Sequence, residues 1–278
     1  MWMSKVWLIT GCSAGGIGEG IARCALAKGD KVAVTARSLE KVQGVLDDYP
    51  DTACGIVLDI TDPASIEDAV AKTVEVFGTI DVLVNNAGYA YRSSIEEAEE
   101  AGMRLMYETN LFGPIRLIQK VLPIMREKKS GAIVNVSSIG AVRTGAASGF
   151  YASSKAALEL MSDGLRGEVG PLGIKVMVVE PGAFRTHFYD SSLKGSDNTI
   201  DAYKDTAHLR SVAQNVNKRQ QPGDPLKAGI LIIEALESDN TPFRLLLGTD
   251  AVKVVRGALS GRLQEIDAWE TASVKTDF

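Results

Sequence analysis

A short apolar run, KVWLIT at 5–10, meets a cluster of glycines at 11, 15, 16, 18 and 20, and then an alanine-rich stretch that continues to Lys28. An apolar run this brief, stopped by glycine, reads as a strand buried on both faces, and the stretch after it as a helix. The alternation then repeats. Strands are predicted at KVAVTA (31–36), about 53–59, IDVLVN (80–85), AIVNVS (132–137), IKVMVVEPG (174–182) and FRLLLG (243–248). Between them lie helix-length segments: Asp62-Pro63 to Phe77, about Glu96 to Lys128 with an interruption around Asn110–Pro114, Ser148 to about Gly167, and Asp224-Pro225 to about Ser238. Pro at a helix start marks two of these openings. Strands separated by helices of ten or more residues specify a doubly wound parallel sheet of Rossmann type, an α/β fold flanked by helices on both faces. With no repeat or linker, residues 1–278 read as a single domain.

Composition narrows the functional classes. The 278 residues are 45% hydrophobic, enough for a large core, and the net charge of -5 gives no broad basic face for nucleic acid. Cys12, Cys24 and Cys54 are an odd number without a C-x-x-C pair, which fits inert thiols in a reducing compartment. His187 and His208 are the only histidines and stand in no ligand-like cluster, so no metal site is expected. No stretch is apolar enough for a membrane span or a signal peptide. A cytoplasmic protein is the resulting expectation.

The glycine turn after the first strand is a place where backbone amides at a helix N-terminus can hold a pyrophosphate. Its spacing is irregular: G-x-G-x-x-G does not fit, and one extra residue near Ala14 or Gly15 separates Gly11 from Gly16, Ile17 and Gly18. At the end of the second strand, where an acidic residue would bind ribose hydroxyls, stands Arg37. Its guanidinium suits a phosphate, and Ser13 adds a hydroxyl, so NADP(H) is expected over NAD(H). The other reading of Arg37 is that it merely opens the next helix. Asn85-Asn86-Ala87-Gly88 ends the fourth strand at the carboxyl edge, where ligands bind in such sheets.

Proton chemistry is suggested between Ser138 and Lys155. Tyr151 and Lys155 are four apart, and on a helix that spacing puts both on one face. A cation at about 4 Å, with an effective dielectric of about 20, favours a phenolate by roughly 4 kcal/mol before desolvation opposes it. Ser138 could hydrogen-bond the substrate oxygen where charge collects. The Tyr-Lys pair by itself proves nothing. Asn110 sits at a helix break, where solvating exposed carbonyls is as natural a role as chemistry. Tyr89, Tyr91, Val142 and Phe184, with the polar segment 187–222 as a lid, would suit a bulky apolar carbonyl compound; ordinary core packing is the competing role for these side chains. The last thirty residues, 249–278, read as a helical peripheral extension.

Taken in order, TG(CSA)GGIG at 10–18, NNAG at 85–88, Asn110, VSS at 136–138, YASSK at 151–155 and PGAFRT at 181–186 resemble the one-domain short-chain dehydrogenase/reductase family. PGAFRT with GDPLKAGILIIEALES and RLLLG is similar to its retinol, steroid and carbonyl reductase branch. The resemblance implies NAD(P)-dependent hydride transfer between an alcohol and a ketone or aldehyde. It makes Tyr151 the acid/base, Lys155 its activator and a holder of the nicotinamide ribose, Ser138 the carbonyl-orienting hydroxyl, and Asn110 part of a water-linked proton relay. It implies cofactor contacts from Gly11, Ser13, Gly16, Ile17 and Gly18 at the phosphates, Arg37 at a 2'-phosphate, Asp59 at adenine, Asn86 on the adenosine side and Thr186 at the carboxamide. It also implies a homodimer or homotetramer built through the helices that follow Asn110 and Ser148. Two other readings remain open: a non-catalytic NADP(H)-binding sensor or scaffold, and an epimerase or dehydratase with no net cofactor consumption.

Overall fold

The computed structural model describes residues 4–189, 193–209 and 220–278. Seven strands form one parallel sheet: β1 (Val6–Ile9), β2 (Lys31–Ala36), β3 (Ala53–Val57), β4 (Val82–Asn85), β6 (Gly131–Val136), β7 (Ile174–Pro181) and β9 (Arg244–Leu247). Their spatial order is β3-β2-β1-β4-β6-β7-β9. The order reverses direction between β1 and β4, and such a switch point leaves a crevice beyond the strands' carboxyl ends.

Side chains alternate across this sheet and feed two cores. Trp7, Ile9, Val32, Val34, Val134 and Val179 face α1 (Ile17–Ala27) and α7 (Pro225–Glu237), while Leu8, Ala33, Leu83, Ile133 and Val178 face α3 (Pro63–Phe77), α5 (Gly113–Lys128) and α6 (Gly149–Val169). Burial on both faces is why the strands are continuous apolar runs rather than alternating ones. The fold expected from the sequence, a single-domain α/β sheet layered between helices, is the fold present.

Helix boundaries follow local chemistry. Asp62 caps α3 by accepting from the amide of Ala64 at 3.0 Å, and Asp224 caps α7 by accepting from that of Leu226 at 2.9 Å, each immediately before a proline. The region predicted as helical from Glu96 starts at Glu100, because Glu97 is held in a turn by Ser94. The interruption at Asn110 is a π-helical turn, Glu108–Phe112, between α4 (Glu100–Tyr107) and α5. Two elements were not anticipated: the short α2 (Gln43–Asp48), and a two-stranded parallel ribbon in which β5 (Ala90–Arg92) pairs with β8 (Leu193–Gly195). The expected C-terminal helix is α8 (Thr249–Ser273).

Helices α1 and α7 cross with backbones in contact. A Cβ added at Gly229 would stand 2.5 Å from the carbonyl oxygen of Gly20. Beside β7, Glu159 and Glu180 are 5% and 1% exposed, and Arg244 lies 3.5 Å from the first and 3.7 Å from the second. Neither oxygen of Glu180 accepts a hydrogen bond among the described residues. Burial, reinforced by the neighbouring Glu159 and only partly offset by Arg244, pushes the Glu180 carboxyl up to about 7.

Two stability predictions follow from this packing. Gly229→Ala should lower the free energy of unfolding by about 1–3 kcal/mol in urea titration, despite its better helix propensity, because backbone must move to admit the methyl group. For Glu180 the folded pKa lies above the unfolded value, so the folded state holds a proton that the unfolded chain has lost, and stability declines as pH rises from about 4.5 to about 7. Glu180→Gln removes that loss: at pH 8 it should stabilise the protein by on the order of 1–2 kcal/mol, with the gain shrinking toward pH 4.5.

Candidate active site

Helix α6 presents Tyr151 and Lys155 one turn apart at the carboxyl edge of β6. Lys155 is 5% exposed, and its Nζ donates to the carbonyl of Val136 at 2.9 Å, tying the helix to the strand end. Burial pulls this ammonium down to about 8, while the charge of Glu159, one turn further along α6, works in the opposite direction. Glu159 in turn accepts from Ser137 Oγ at 2.5 Å, so both neighbours of the β6 terminus are held by α6.

Ser138 is extended and caps a 3₁₀ turn at 139–141, its Oγ accepting from the amide of Gly140 at 3.0 Å. Gly140 brings hydroxyl and phenol together, since a Cβ there would lie 3.3 Å from Ser138 Oγ and 3.4 Å from the Tyr151 ring. Gly88 does the same on the opposite side: its Cβ would stand 3.0 Å from Asn110 Oδ1 and 3.3 Å from Lys155 Nζ. Asn110, on the π-helical turn, is 1% exposed; it accepts from the Tyr89 amide at 3.1 Å and donates to the Tyr89 carbonyl at 2.9 Å and to Ser154 Oγ at 3.2 Å. Its side chain clamps the loop after β4. The four residues Asn110, Ser138, Tyr151 and Lys155 thus meet around two glycines.

Ser138, Tyr151 and Lys155 open into a cleft of about 1090 Å³ that runs from the end of β2 across the sheet to the segment after β7, whereas Asn110 stands behind its lining. Of the residues expected to bind a cofactor, Gly11, Ser13, Gly16, Ile17, Arg37, Asp59, Asn86, Tyr151, Lys155 and Thr186 line it. Gly18 does not; it packs behind the loop, where a Cβ would fall 2.5 Å from Asn86 Nδ2 and 2.6 Å from the Gly11 carbonyl. Asn86 Nδ2 donates to the carbonyls of Thr10 and Gly11, both at 2.9 Å, and so fastens β4 to the glycine turn. Gly11 and Gly15 have φ of +70° and +74°, which explains glycine at both places. Asp59 accepts from the amide and hydroxyl of Thr61 at 2.9 and 2.7 Å, bonds that hold its carboxyl below the usual range.

The extra loop residue is also accounted for. The Ala14 amide donates to the Lys41 carbonyl at 3.0 Å and the Gly15 amide to Glu19 at 2.6 Å, so the donors of the insertion are satisfied within the chain, while Ala14 lines the cleft and Gly15 lies against His187. Gly16 remains the N-cap of α1, and the first-turn amides after it have no partner within the helix. That donor set, with Ser13, Arg37 and Lys41 on the same wall, fits a dinucleotide bearing phosphates.

At the substrate end Tyr89 and Phe184 line the cleft. Tyr91 does not: it is 3% exposed, with its ring against Gly102 and its hydroxyl accepting from the Glu99 amide at 2.9 Å. Val142 also stands outside the lining, its carbonyl accepting from Arg262 at 3.0 Å. In their place come His187, Phe188 and Lys194. The Phe188 ring lies 6.0 Å from that of Tyr151, and Lys194 sits 5.5 Å over Tyr89. Of the expected lid, 187–222, residues 190–192 and 210–219 lie outside the described residues. Residues 196–208 are docked on Glu97, whose carboxylate accepts from Ser94 Oγ and the Ile200 amide, both at 2.6 Å, and faces His208 Nε2 at 2.7 Å. These partners hold Glu97 down to about 2. Nothing in the periodicity marked the β5–β8 ribbon or Glu97, because three-residue strands carry no pattern of their own.

Comparison with known proteins adds to this geometry. The short chain dehydrogenase family profile matches residues 5–196. An oxidoreductase of Botryotinia fuckeliana, BOA17, is 34% identical over 274 residues, covering 98% of this chain and 99% of its own. A 3-ketodihydrosphingosine reductase of Bacteroides thetaiotaomicron is 38% identical over 198 residues, 69% of this chain and 72% of its own. The crystal structure of a short-chain dehydrogenase from Streptomyces avermitilis superposes with a TM-score of 0.92 at 43% identity, covering all of both chains. No described helix is long and apolar enough to cross a membrane. With a seven-stranded switch-point sheet, the Ser138, Tyr151, Lys155 and Asn110 constellation and these likenesses, the chain belongs to the short-chain dehydrogenase/reductase family of oxidoreductases, whose fold binds nicotinamide cofactors.

Proposed function

We propose that the protein is an NADP(H)-dependent reductase of bulky apolar ketones or aldehydes, acting in reverse as an alcohol dehydrogenase. The observation that carries this reading is the convergence of Ser138 and Tyr151 on Gly140, and of Asn110 and Lys155 on Gly88. NADP(H), when bound, supplies or accepts the hydride. In reduction the phenol of Tyr151 gives its proton to the carbonyl oxygen, while Ser138 Oγ donates a hydrogen bond to that oxygen and holds it in place. The buried ammonium of Lys155 favours the phenolate that results. The constellation disfavours a non-catalytic sensor, because a phenol and a buried ammonium one turn apart, with Ser138 in the same cleft, suit proton transfer.

The preference for NADP(H) is supported by Arg37 and Lys41 on the same cleft wall as Ser13, with no carboxylate at the end of β2. A bulky apolar substrate is supported by the aromatic residues Tyr89, Phe184 and Phe188 in the cleft lining, and by the similarity to a 3-ketodihydrosphingosine reductase. The three free cysteines favour a reducing, cytoplasmic setting.

Tyr151→Phe should abolish turnover in an NADPH-oxidation assay over long-chain 3-ketones, steroids, retinoids and quinones, while leaving cofactor affinity within a few-fold. Retained activity would remove Tyr151 from its role. If Arg37 reads a 2'-phosphate, Arg37→Ala should lower the ratio of kcat/KM for NADPH over NADH by about 10- to 100-fold, the worth of a charge-assisted contact. A wild-type preference for NADH would overturn the cofactor assignment.

A further inference from the structure

Helix α8 starts as part of the body and ends as an arm. Asp250 accepts from the Ala183 amide at 2.7 Å, Ala251 and Val255 are buried, and Arg262 reaches the Val142 carbonyl at 3.0 Å. From Arg262 onward every residue is exposed. The arm is nevertheless apolar on one side: Val252, Leu259, Leu263 and Ile266 are 41%, 48%, 60% and 60% exposed. Steps of seven, four and three residues place them on a single helical stripe. Three turns of helix with no packing partner are marginal in water, so an exposed apolar stripe on such an arm calls for an occupant.

Charge identifies it. Along α8 exposed Lys253, Arg256 and Arg262 come first, followed by exposed Glu265, Asp267 and Glu270. A helix basic at one end and acidic at the other is complementary to itself reversed, as an isologous interface requires. A register with Leu263 on the two-fold sets Arg256 opposite Glu270 of the second copy, and Leu259 opposite Asp267, one residue from Ile266. An anionic lipid surface fits less well: from 262 to 278 the chain has four carboxylate side chains, Glu265, Asp267, Glu270 and Asp277, against Arg262 and Lys275.

We propose that α8 is a dimerisation arm, pairing antiparallel with α8 of a second copy of this chain about a two-fold at Leu263. The interface is separate from the helices after Asn110 and Ser148, so it can add to any association made there.

Sedimentation velocity and light scattering on the full chain test this. Leu263→Glu puts like charges on the axis and should halve the particle mass, with the thermal midpoint and cofactor binding retained. Arg256→Glu should do the same, and Arg256→Glu combined with Glu270→Arg should restore the wild-type mass. Leu263→Cys should give a disulfide-linked dimer under mild oxidation that mass spectrometry maps to position 263. A monomeric wild type, an unchanged mass for Leu263→Glu, or failure of the double charge swap to restore association would overturn the proposal. So would flotation of the wild type, but not Leu263→Glu, with phosphatidylcholine/phosphatidylglycerol vesicles, which would assign the stripe to a membrane surface.

Discussion

The site depends on one buried charge. Lys155 Nζ is fixed to the Val136 carbonyl at the end of β6, and burial at that point opposes its positive form. What surrounds it limits the cost: Glu159 one turn away, and the absence of a side chain at position 88, which lets Asn110 and the ammonium approach the same spot. A buried ammonium without such company would lose its proton rather than lend its charge to a neighbouring phenol. Tyr151 and Lys155 therefore stand where they do because strand, helix and loop are locked in one register.

That locking is spread over several elements. Ser137 is bound to Glu159 on α6, Asn135 donates to Ser162 on the same helix at 2.8 Å, and Asn85 of β4 donates to Asn135 at 2.8 Å. A ladder of polar contacts thus runs across β4, β6 and α6 just beneath the catalytic edge. Ala147, with φ of +62°, adds a strained residue at the turn into α6. Its position two residues before the helix fixes where Tyr151 stands.

The two ends of the cleft are built by different means. The end beside β1 and β2 is backbone: glycines with positive φ, a helix N-terminus, and an insertion whose amides are consumed by Lys41 and Glu19. The end beside Tyr89 and Phe188 is side chain and docked segment, held by the β5–β8 ribbon and by hydrogen bonds to Glu97. A backbone site tolerates little change in shape, whereas a wall of side chains on a docked segment can be altered residue by residue. Family membership consequently says much about the first end and little about the second.

The sequence by itself determined the alternation of strands and helices, the proline-marked openings of α3 and α7, the glycine turn, and the one-turn spacing of Tyr151 and Lys155 on a helix; Asn110 and Ser138 were singled out with them by the resemblance to a family. Periodicity, capping and fixed spacing are local properties, and local properties are written in the chain. Only the tertiary structure decided that Tyr91 belongs to packing while Phe188 and Lys194 face the cleft, that the amides of the loop insertion are taken up by Lys41 and Glu19, and that Glu97 anchors the segment after β7. The last rests on a contact between residues 111 positions apart, Glu97 with His208, and the others on turns and packing, such as Tyr91 against Glu99 and Ala14 against Lys41, that no helix or strand period specifies.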